Sequence, residues 1–150
     1  MPTMDIKKAG NKVLKEIAAP VGKIDRKIKQ LLDNMAETMY AADGVGLAAP
    51  QVGVSLRIVV IDIGEGLLEL INPEIVSREG SETDTEGCLS VPGMYGEVER
   101  YASVTVEALN RSGKKFRVNG SGLLARALQH EIDHLNGILF IELAKTVHKG

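Results

Sequence analysis

Residues 129–135 of this chain read QHEIDHL and contain the pattern H-E-x-x-H. In a helix, residues four apart lie on the same face, so His130 and His134 can direct ring nitrogens at one metal ion. Glu131 lies on the flank of that face, the usual position of a general base that acts on metal-bound water. Two of the three histidines in the chain fall in this motif. The motif therefore indicates metal-assisted hydrolysis.

A short pattern of this kind also occurs by chance in surface helices. At about 100° per residue, however, the two histidines share a stripe with Leu123 and Ala127 that is about 60° wide. They therefore face the interior or a cleft, where a buried imidazole needs a polar partner. A metal ion is one such partner. The alternative is a pair of core histidines that are hydrogen-bonded to backbone carbonyls.

A catalytic centre of the zinc type uses three protein ligands and keeps one position open. Peptidases with H-E-x-x-H take the third ligand from downstream, but beyond Gly137 this chain offers only Glu142 and His148. Cys88, the only cysteine, lies upstream in the segment EGCLS, residues 86–90. A lone cysteine is often a small buried apolar residue. Beside H-E-x-x-H, it completes a Cys/His/His set that is known from catalytic centres.

Three segments together carry a family resemblance. They are GVGLAAPQ at residues 44–51, EGCLS at residues 86–90 and QHEIDHL at residues 129–135. In this order and spacing, they make the sequence similar to the peptide deformylase family along most of its length. Their joint occurrence is much more specific than any one of them alone. The stretches LINP at 70–73 and GILF at 137–140 also resemble the family.

The resemblance implies an enzyme that removes the formyl group from N-formylmethionyl nascent peptides near the ribosome and releases formate. The implied ligands of one divalent metal ion are Cys88, His130 and His134. The metal implied in the cell is Fe2+, while Zn2+, Ni2+ or Co2+ would also suit one thiolate and two imidazoles. Glu131 would act as general base and acid. The Gln51 side-chain amide and the Leu89 backbone N–H would stabilise the oxyanion.

The resemblance also implies how an extended peptide binds. Main-chain groups of Val45, Gly46 and Gly87 would pair with the substrate backbone, which is recognition by strand addition. Leu123 and Ala127, one to two turns before the metal ligands, would line an apolar pocket for the methionine side chain together with Val45. Their alternative role is plain core packing, and the alternative for the glycines is an ordinary turn.

Charged residues surround these segments. By resemblance, Glu86 and Arg100 are expected to form an ion pair that supports the Cys88 segment. Asp133 faces away from Glu131 and is expected to be a structural carboxylate. The stem of Arg126 is expected to cover the pocket, while its guanidinium reaches water.

The length and composition limit the classes of protein to which this chain can belong. A chain of 150 residues is expected to form one domain, residues 1–150, that buries about 68–70% of its unfolded surface. The charges of the eighteen basic and twenty acidic residues nearly cancel, so no nucleic-acid-binding surface is evident. Neither a secretory signal nor an apolar run of membrane-spanning length is present, and one unpaired cysteine fits a reducing compartment. We therefore expect a cytoplasmic monomer without a membrane or nucleic-acid partner.

The pattern of apolar residues predicts the secondary structure. A first helix is expected from a cap at Asp25 to about Tyr40, and the last long helix from Asn119 or Ser121 to a left-handed cap at Gly137. Residues 43–51 are expected to form a loop, and the tail at 141–150 a turn or two of helix. The predicted strands are 57–62, 67–72, 74–77, 103–108 and 115–118. The expected fold class is α+β, with antiparallel strands wrapped around a central C-terminal helix that carries the motif, which the resemblance also implies.

Two other functions stay open. An H-E-x-x-H metallopeptidase would share the mechanism but cut peptide bonds, and it would not need Cys88. A non-catalytic member would bind metal or peptide without turnover, although such a protein has no need of a base at Glu131.

Overall fold

The computed structural model describes residues 3–150, and in this range the chain forms two α-helices and eight strands. The helices are α1, Arg26–Ala41, and α2, Gly122–Leu135. The strands are β1 Gly46–Ala48, β2 Ile58–Ile61, β3 Leu68–Glu79, β4 Glu82–Cys88, β5 Val91–Arg100, β6 Ser103–Leu109, β7 Lys115–Ser121 and β8 Val147–Lys149. Neither α1 nor α2 has the length and apolar character that a membrane-spanning helix requires.

The strands form two antiparallel sheets. The larger sheet has the order β1-β2-β3-β6-β7, and the smaller one has the order β4-β5-β8. Strand β1 lies at one edge of the larger sheet, and β4 lies at one edge of the smaller sheet. The predicted α+β fold class with antiparallel strands is confirmed.

The larger sheet is covered by a helix on each face. Alternate residues of β2 point to opposite faces, so Val59 and Ile61 pack in the cluster with helix α2, while Ile58 and Val60 pack in the cluster with helix α1. All four are at most 1% exposed. This explains why β2 reads as a continuous apolar run rather than an alternating one.

Helix α2 lies between the larger sheet and the β4–β5 hairpin. Its Leu128, Ile132 and Leu135 pack against the larger sheet. Its polar residues Arg126 and His130 instead reach Glu86 of β4. Every residue from 125 to 132 is buried. The helix that carries the motif is therefore the centre of the fold, as the sequence predicts.

The predicted helix ends are also correct. The Asp25 carboxylate accepts a hydrogen bond of 3.1 Å from the Ile28 N–H and caps α1. Ser121 precedes α2, although its side chain makes no capping hydrogen bond. Gly137 has a φ of 75° and ends α2 in the left-handed conformation. A Cβ at Gly137 would lie 2.5 Å from the Lys15 carbonyl oxygen, so packing as well as φ requires glycine here.

The structure differs from the prediction at four places. The predicted loop at 43–51 contains strand β1 and a 3-10 helix, Ala49–Val52. The predicted strands 67–72 and 74–77 are one strand, β3, because a register shift between Ile71 and Glu74 accommodates the missing N–H of Pro73. The β4–β5 hairpin was not predicted, since its sequence has no apolar alternation. The tail begins with a 3-10 helix, Phe140–Glu142, as a turn of helix was expected, but it ends in strand β8, which pairs with β5.

Asn72 joins this bulge to the chain segment before α1. Its side chain accepts a hydrogen bond of 2.8 Å from the Val21 N–H and donates one of 2.9 Å to the Val21 carbonyl. Its φ is 54°, in the left-handed region. Asn72 therefore combines two polar contacts with a conformation that asparagine tolerates better than most residues.

We expect Asn72→Gly to lower the free energy of unfolding by about 1–3 kcal/mol through loss of these hydrogen bonds. Asn72→Ala should be less stable still. A left-handed alanine costs about 1–2 kcal/mol, which exceeds the roughly 0.4–1 kcal/mol that alanine gains over glycine through the unfolded state. Urea unfolding of both variants measures this difference, and an alanine variant more stable than the glycine variant would contradict the assigned backbone strain.

Candidate metal centre

Three potential metal ligands meet where the end of β4 approaches helix α2. Cys88 is the last residue of β4, and His130 and His134 lie one turn apart in α2. One ligand atom of each residue lies within 4.8 Å of those of the other two. The Cys88 Sγ is 3.3 Å from the His134 Nε2. The structure therefore brings together the three residues that the sequence predicts as ligands.

The donor atoms of the site fit a metal ion. The His134 Nε2 faces the Cys88 Sγ. The His134 Nδ1, on the other side of the ring, and the Glu131 Oε1 are buried without a hydrogen-bond partner among residues 3–150. The His130 Nδ1 lies 2.9 Å from the Glu86 Oε1 and donates to it, which leaves the Nε2 of His130 available for a metal ion. One thiolate and two imidazoles form a donor set for a divalent transition metal. The residues thus fit the metal that the family resemblance implies.

The surroundings shift the pKa values of the two histidines in opposite directions. Burial lowers the pKa of His134 well below its usual value, and the charge of His130 lowers it further. The neutral imidazole that a metal ligand requires is therefore favoured at His134. Burial also acts to lower the pKa of His130, but hydrogen bonds to Cys88 and Glu86 outweigh it and raise this pKa to about 10. A bound cation would compete with the proton that His130 otherwise holds.

Glu86 supports the ligands from behind. Its carboxylate accepts two hydrogen bonds from Arg100, of 2.8 and 2.9 Å, which confirms the predicted ion pair. Arg100 also donates to Asp133 at 2.5 Å, so Asp133 is a structural carboxylate, as expected. Burial acts to raise the pKa of Glu86, but Arg100 and His130 hold it well below its usual range. Glu86 is therefore an anion that fixes the orientation of His130.

The prediction that the guanidinium of Arg126 reaches water is wrong. The Arg126 side chain is 10% exposed, and its Nη1 donates a hydrogen bond of 2.6 Å to the Glu86 Oε2. Arg126 still lines the cavity described below. The guanidinium turns inward because a buried carboxylate offers it a charge-assisted hydrogen bond.

Glu131 lies beside the three ligands and faces strand β1. It is 5% exposed. A Cβ at Gly46 would lie 2.6 Å from the Glu131 Oε2, so the absence of a side chain at Gly46 makes room for this carboxylate. Burial raises the pKa of Glu131 to about 7, with the charge of His130 opposing and that of Glu86 adding to the shift. Such a carboxyl can both take and release a proton near neutral pH.

Gln51 is fixed with its amide N–H groups toward the metal ligands. Its Oε1 accepts a hydrogen bond of 2.9 Å from the Ala48 N–H. Its Nε2 donates to the Ser90 Oγ at 3.1 Å and lies 3.6 Å from the Cys88 Sγ. Leu89 lies in the turn between β4 and β5 and lines the same space. Both residues predicted as oxyanion donors are thus at the site.

A cavity of about 380 Å³ opens beside this cluster. All five residues predicted to bind substrate line it, namely Val45, Gly46, Gly87, Leu123 and Ala127. Val45 and Leu123 are 44% and 54% exposed, so apolar surface is available at its mouth. The site is therefore large enough for an apolar side chain together with a short stretch of peptide backbone.

The edge strand β1 offers free backbone groups to this cavity. The Asp62 N–H donates to the Val45 carbonyl at 2.8 Å, on the side of β2. Successive residues of a strand direct their backbone groups to opposite sides, so the N–H and C=O of Gly46 point away from β2. The structure thus leaves Gly46 able to pair with an added strand.

Sequence reasoning missed several residues of the site. Ser90 is fully buried and accepts the Gln51 hydrogen bond, and its place two residues after Cys88 was the only local signal. Pro92 and Met94 of β5 also line the cavity. They were missed together with the hairpin to which they belong.

A cavity that ends at a buried carboxylate and three potential metal ligands is typical of hydrolases that use a divalent metal to activate water. The fold and the site place this chain in that class. Residues 3–150 match the family model described as polypeptide deformylase. The chain belongs to the polypeptide deformylase family, whose enzymes hydrolyse the N-formyl group of peptides.

Relatives and solved structures agree with this assignment. The chain is 60% identical over 149 residues to a peptide deformylase of Pelotomaculum thermopropionicum, covering 99% of this chain and 96% of that protein. The crystal structure of the peptide deformylase from Thermotoga maritima superposes with a TM-score of 0.95 at 43% identity, covering 97% of this chain and all of that one. The crystal structure of the peptide deformylase from Synechococcus elongatus in complex with actinonin superposes with a TM-score of 0.94 at 45% identity. The match covers 97% of this chain and 81% of that one.

We expect His134→Ala to weaken Co2+ binding by at least about 100-fold, since loss of even an outer-shell partner of a metal ligand costs about 10–100-fold. His148→Ala is the matched control, because His148 is exposed on β8 and outside the cluster. Equilibrium dialysis measures the affinity of each variant. Equal loss of binding in both variants would contradict the assigned ligand set.

We expect Gly46→Ala to lower kcat by roughly 100-fold, because its new Cβ would displace the Glu131 carboxylate and a misplacement of about 1 Å has this effect. The metal content should not change. Gly22→Ala is the control, since a Cβ at Gly22 would meet nothing within 4 Å. Steady-state formate release measures kcat, and a fully active Gly46→Ala enzyme would show that this contact does not position Glu131.

Proposed function

We propose that Cys88, His130 and His134 hold one divalent metal ion per chain, and that this ion is Fe2+ in the cell. Two observations support the site: the three ligand atoms lie within 4.8 Å of one another, and the bond of the His130 Nδ1 to Glu86 leaves the His130 Nε2 available. The donor set would also accept Zn2+, Ni2+ or Co2+, and the choice of iron rests on the family resemblance. When bound, the ion supplies a Lewis acid for the formyl oxygen and makes water more acidic.

Glu131 moves the protons of the reaction. It takes a proton from the water whose oxygen bonds to the formyl carbon. It then gives that proton to the nitrogen as the carbon–nitrogen bond breaks. The products are formate and a peptide with a free N-terminal methionine. The observation that carries this proposal is the position of the buried Glu131 carboxylate between the ligand cluster and the edge strand. Burial raises its pKa to about 7, which suits a group that takes and returns a proton.

Gln51 and Leu89 stabilise the negative charge that develops on the formyl oxygen. The Gln51 amide is held at its oxygen by Ala48, so its N–H groups are oriented before the substrate arrives. Preorganised donors of this kind lower the barrier by about 2.7–4 kcal/mol each. The backbone N–H of Leu89, in the turn after Cys88, supplies the second donor.

The substrate binds as an added strand. The backbone groups of Gly46 and Gly87 pair with the peptide, so the main chain is recognised rather than its sequence. The Val45 carbonyl already accepts the Asp62 N–H, so Val45 is not expected to pair as the sequence predicted, and it contributes its exposed side chain to the cavity instead. The formylated methionine places its side chain against Leu123 and Ala127. This arrangement suits N-formylmethionyl peptides of varied sequence, and we infer that they are met as nascent chains near the ribosome.

The unit that acts is the single domain, residues 1–150, which we infer to be monomeric and cytoplasmic. The unpaired Cys88 supports a reducing compartment, because a metal thiolate is lost on oxidation. A metallopeptidase that takes its third ligand from downstream does not need Cys88. The position of this residue beside both histidines therefore favours the deformylase.

We expect Glu131→Ala to reduce formate release from a formyl-methionyl tripeptide by about 100- to 10,000-fold, the usual contribution of a general acid–base group. The protein is loaded anaerobically with Fe2+ or Ni2+, and the metal content is measured beside the rate. Glu16→Ala, which removes an exposed carboxylate, is the control.

Turnover that persists in Glu131→Ala would remove this residue from the proposed role. A parent enzyme that holds one metal and releases no formate would favour a binding protein or a peptidase. Metal binding that survives Cys88→Ser would then favour the peptidase.

A further inference from the structure

Arg126 joins helix α2 to both strands of the β4–β5 hairpin. Its Nη1 donates to the Glu86 Oε2 at 2.6 Å and to the Val98 carbonyl at 2.9 Å. Its Nη2 donates to the Glu82 carbonyl at 2.9 Å. Glu82 and Glu86 belong to β4, and Val98 belongs to β5. One side chain of the helix is therefore bonded to three points of the hairpin.

We propose that Arg126 is a positioning residue of the metal centre. Two ligands, His130 and His134, are carried by α2, whereas Cys88 is carried by the hairpin. The guanidinium of Arg126 fixes the hairpin relative to the helix, and so fixes the thiolate relative to the two imidazoles. This inference rests on the metal centre proposed above.

The other arginine at Glu86 cannot replace this contact. Arg100 lies on β5 and Glu86 on β4, so their ion pair is internal to the hairpin. In the described part of the chain, Arg100 bonds to the helix through Asp133, which is 23% exposed. The groups of α2 that bond to Glu86 itself are Arg126 and the ligand His130. Without Arg126, the contact between α2 and Glu86 would be the hydrogen bond of His130. That histidine is the ligand that Glu86 orients, so Glu86 would have no independent anchor on the helix.

The guanidinium of Arg126 can be tested apart from the rest of the side chain. Arg126 lines the cavity beside Ala127, next to the space proposed for the methionine side chain, and its guanidinium is bonded to carbonyl and carboxylate acceptors of the hairpin. Arg126→Met keeps an unbranched apolar side chain and removes the guanidinium. It should therefore change the metal centre more than it changes substrate binding.

The test uses the full chain loaded with Co2+, whose absorption reports the cobalt–thiolate bond. We expect Arg126→Met to weaken Co2+ affinity by about 10–100-fold, the usual effect of losing a partner that orients a ligand. Its cobalt–thiolate band should shift, and kcat should fall with KM near the parent value. Arg126→Lys, which keeps the charge and one or two hydrogen bonds, should restore part of the affinity.

Arg111→Met is the matched control. Arg111 forms ion pairs with Glu69 on the larger sheet and Asp33 on α1. Its side chain is 38% exposed against 10% for Arg126, and its loss removes an ion-paired arginine whose partners do not include the ligands or Glu86. Release of Co2+ to a chelator and urea unfolding are measured for every variant. The control should lose stability but keep the parent affinity and absorption band.

If Arg126→Met keeps the Co2+ affinity and the cobalt–thiolate absorption band of the parent, the inference is overturned, even if the variant is less stable. Arg126 would then support only the fold. If Arg126→Met does not fold, Arg126→Lys decides: parent-like affinity and band would overturn the inference, and weakened binding with a shifted band would support it. A parent chain that binds no Co2+ would instead reject the proposed metal centre.

Discussion

The carboxylate of Glu86 accepts four hydrogen bonds in the narrow space between helix α2 and the β4–β5 hairpin: two from Arg100, one from Arg126 and one from His130. The formal charges of Glu86 and Asp133 balance those of the two arginines. Buried networks of this kind contribute little net stability, because desolvation opposes the attraction, yet loss of one partner is costly. Their effect here is geometric, since the network orients one ligand and anchors the strand that carries another.

This arrangement requires helix α2 to be buried on two sides. Its apolar side is held by the larger sheet, and its polar side meets the hairpin. A helix with one solvated face would leave the histidines in water, with ordinary pKa values. Burial instead lowers the pKa of His134 and raises that of Glu131, which suits a neutral ligand and a general base. The central position of α2 thus accounts for both the fold and the chemistry.

The sequence predicted what local patterns encode. The spacing of apolar residues predicted both helices and the strands β2, β3, β6 and β7 of the larger sheet, but not β1. H-E-x-x-H predicted two ligands and a candidate base. The third ligand, Cys88, was proposed because it completes a Cys/His/His set with the motif, and the family resemblance supported that choice. The partners of Arg126 lie 28 to 44 residues away in the chain, so no local pattern could show that its guanidinium is buried. The hairpin was missed because pairing and tertiary contacts, rather than apolar alternation, stabilise it.

The position of α2 also bears on the space proposed for the substrate. Gly46 belongs to β1, an edge of the larger sheet, whereas Gly87 belongs to β4, an edge of the smaller one. An extended peptide that pairs with both glycines must lie between the two sheets. Helix α2 packs against the larger sheet and is bonded to the hairpin through Asp133 and Arg100 as well as through Arg126. The separation of the two edges therefore does not depend on Arg126 alone, whereas the orientation of Glu86 depends directly on the groups that bond to it.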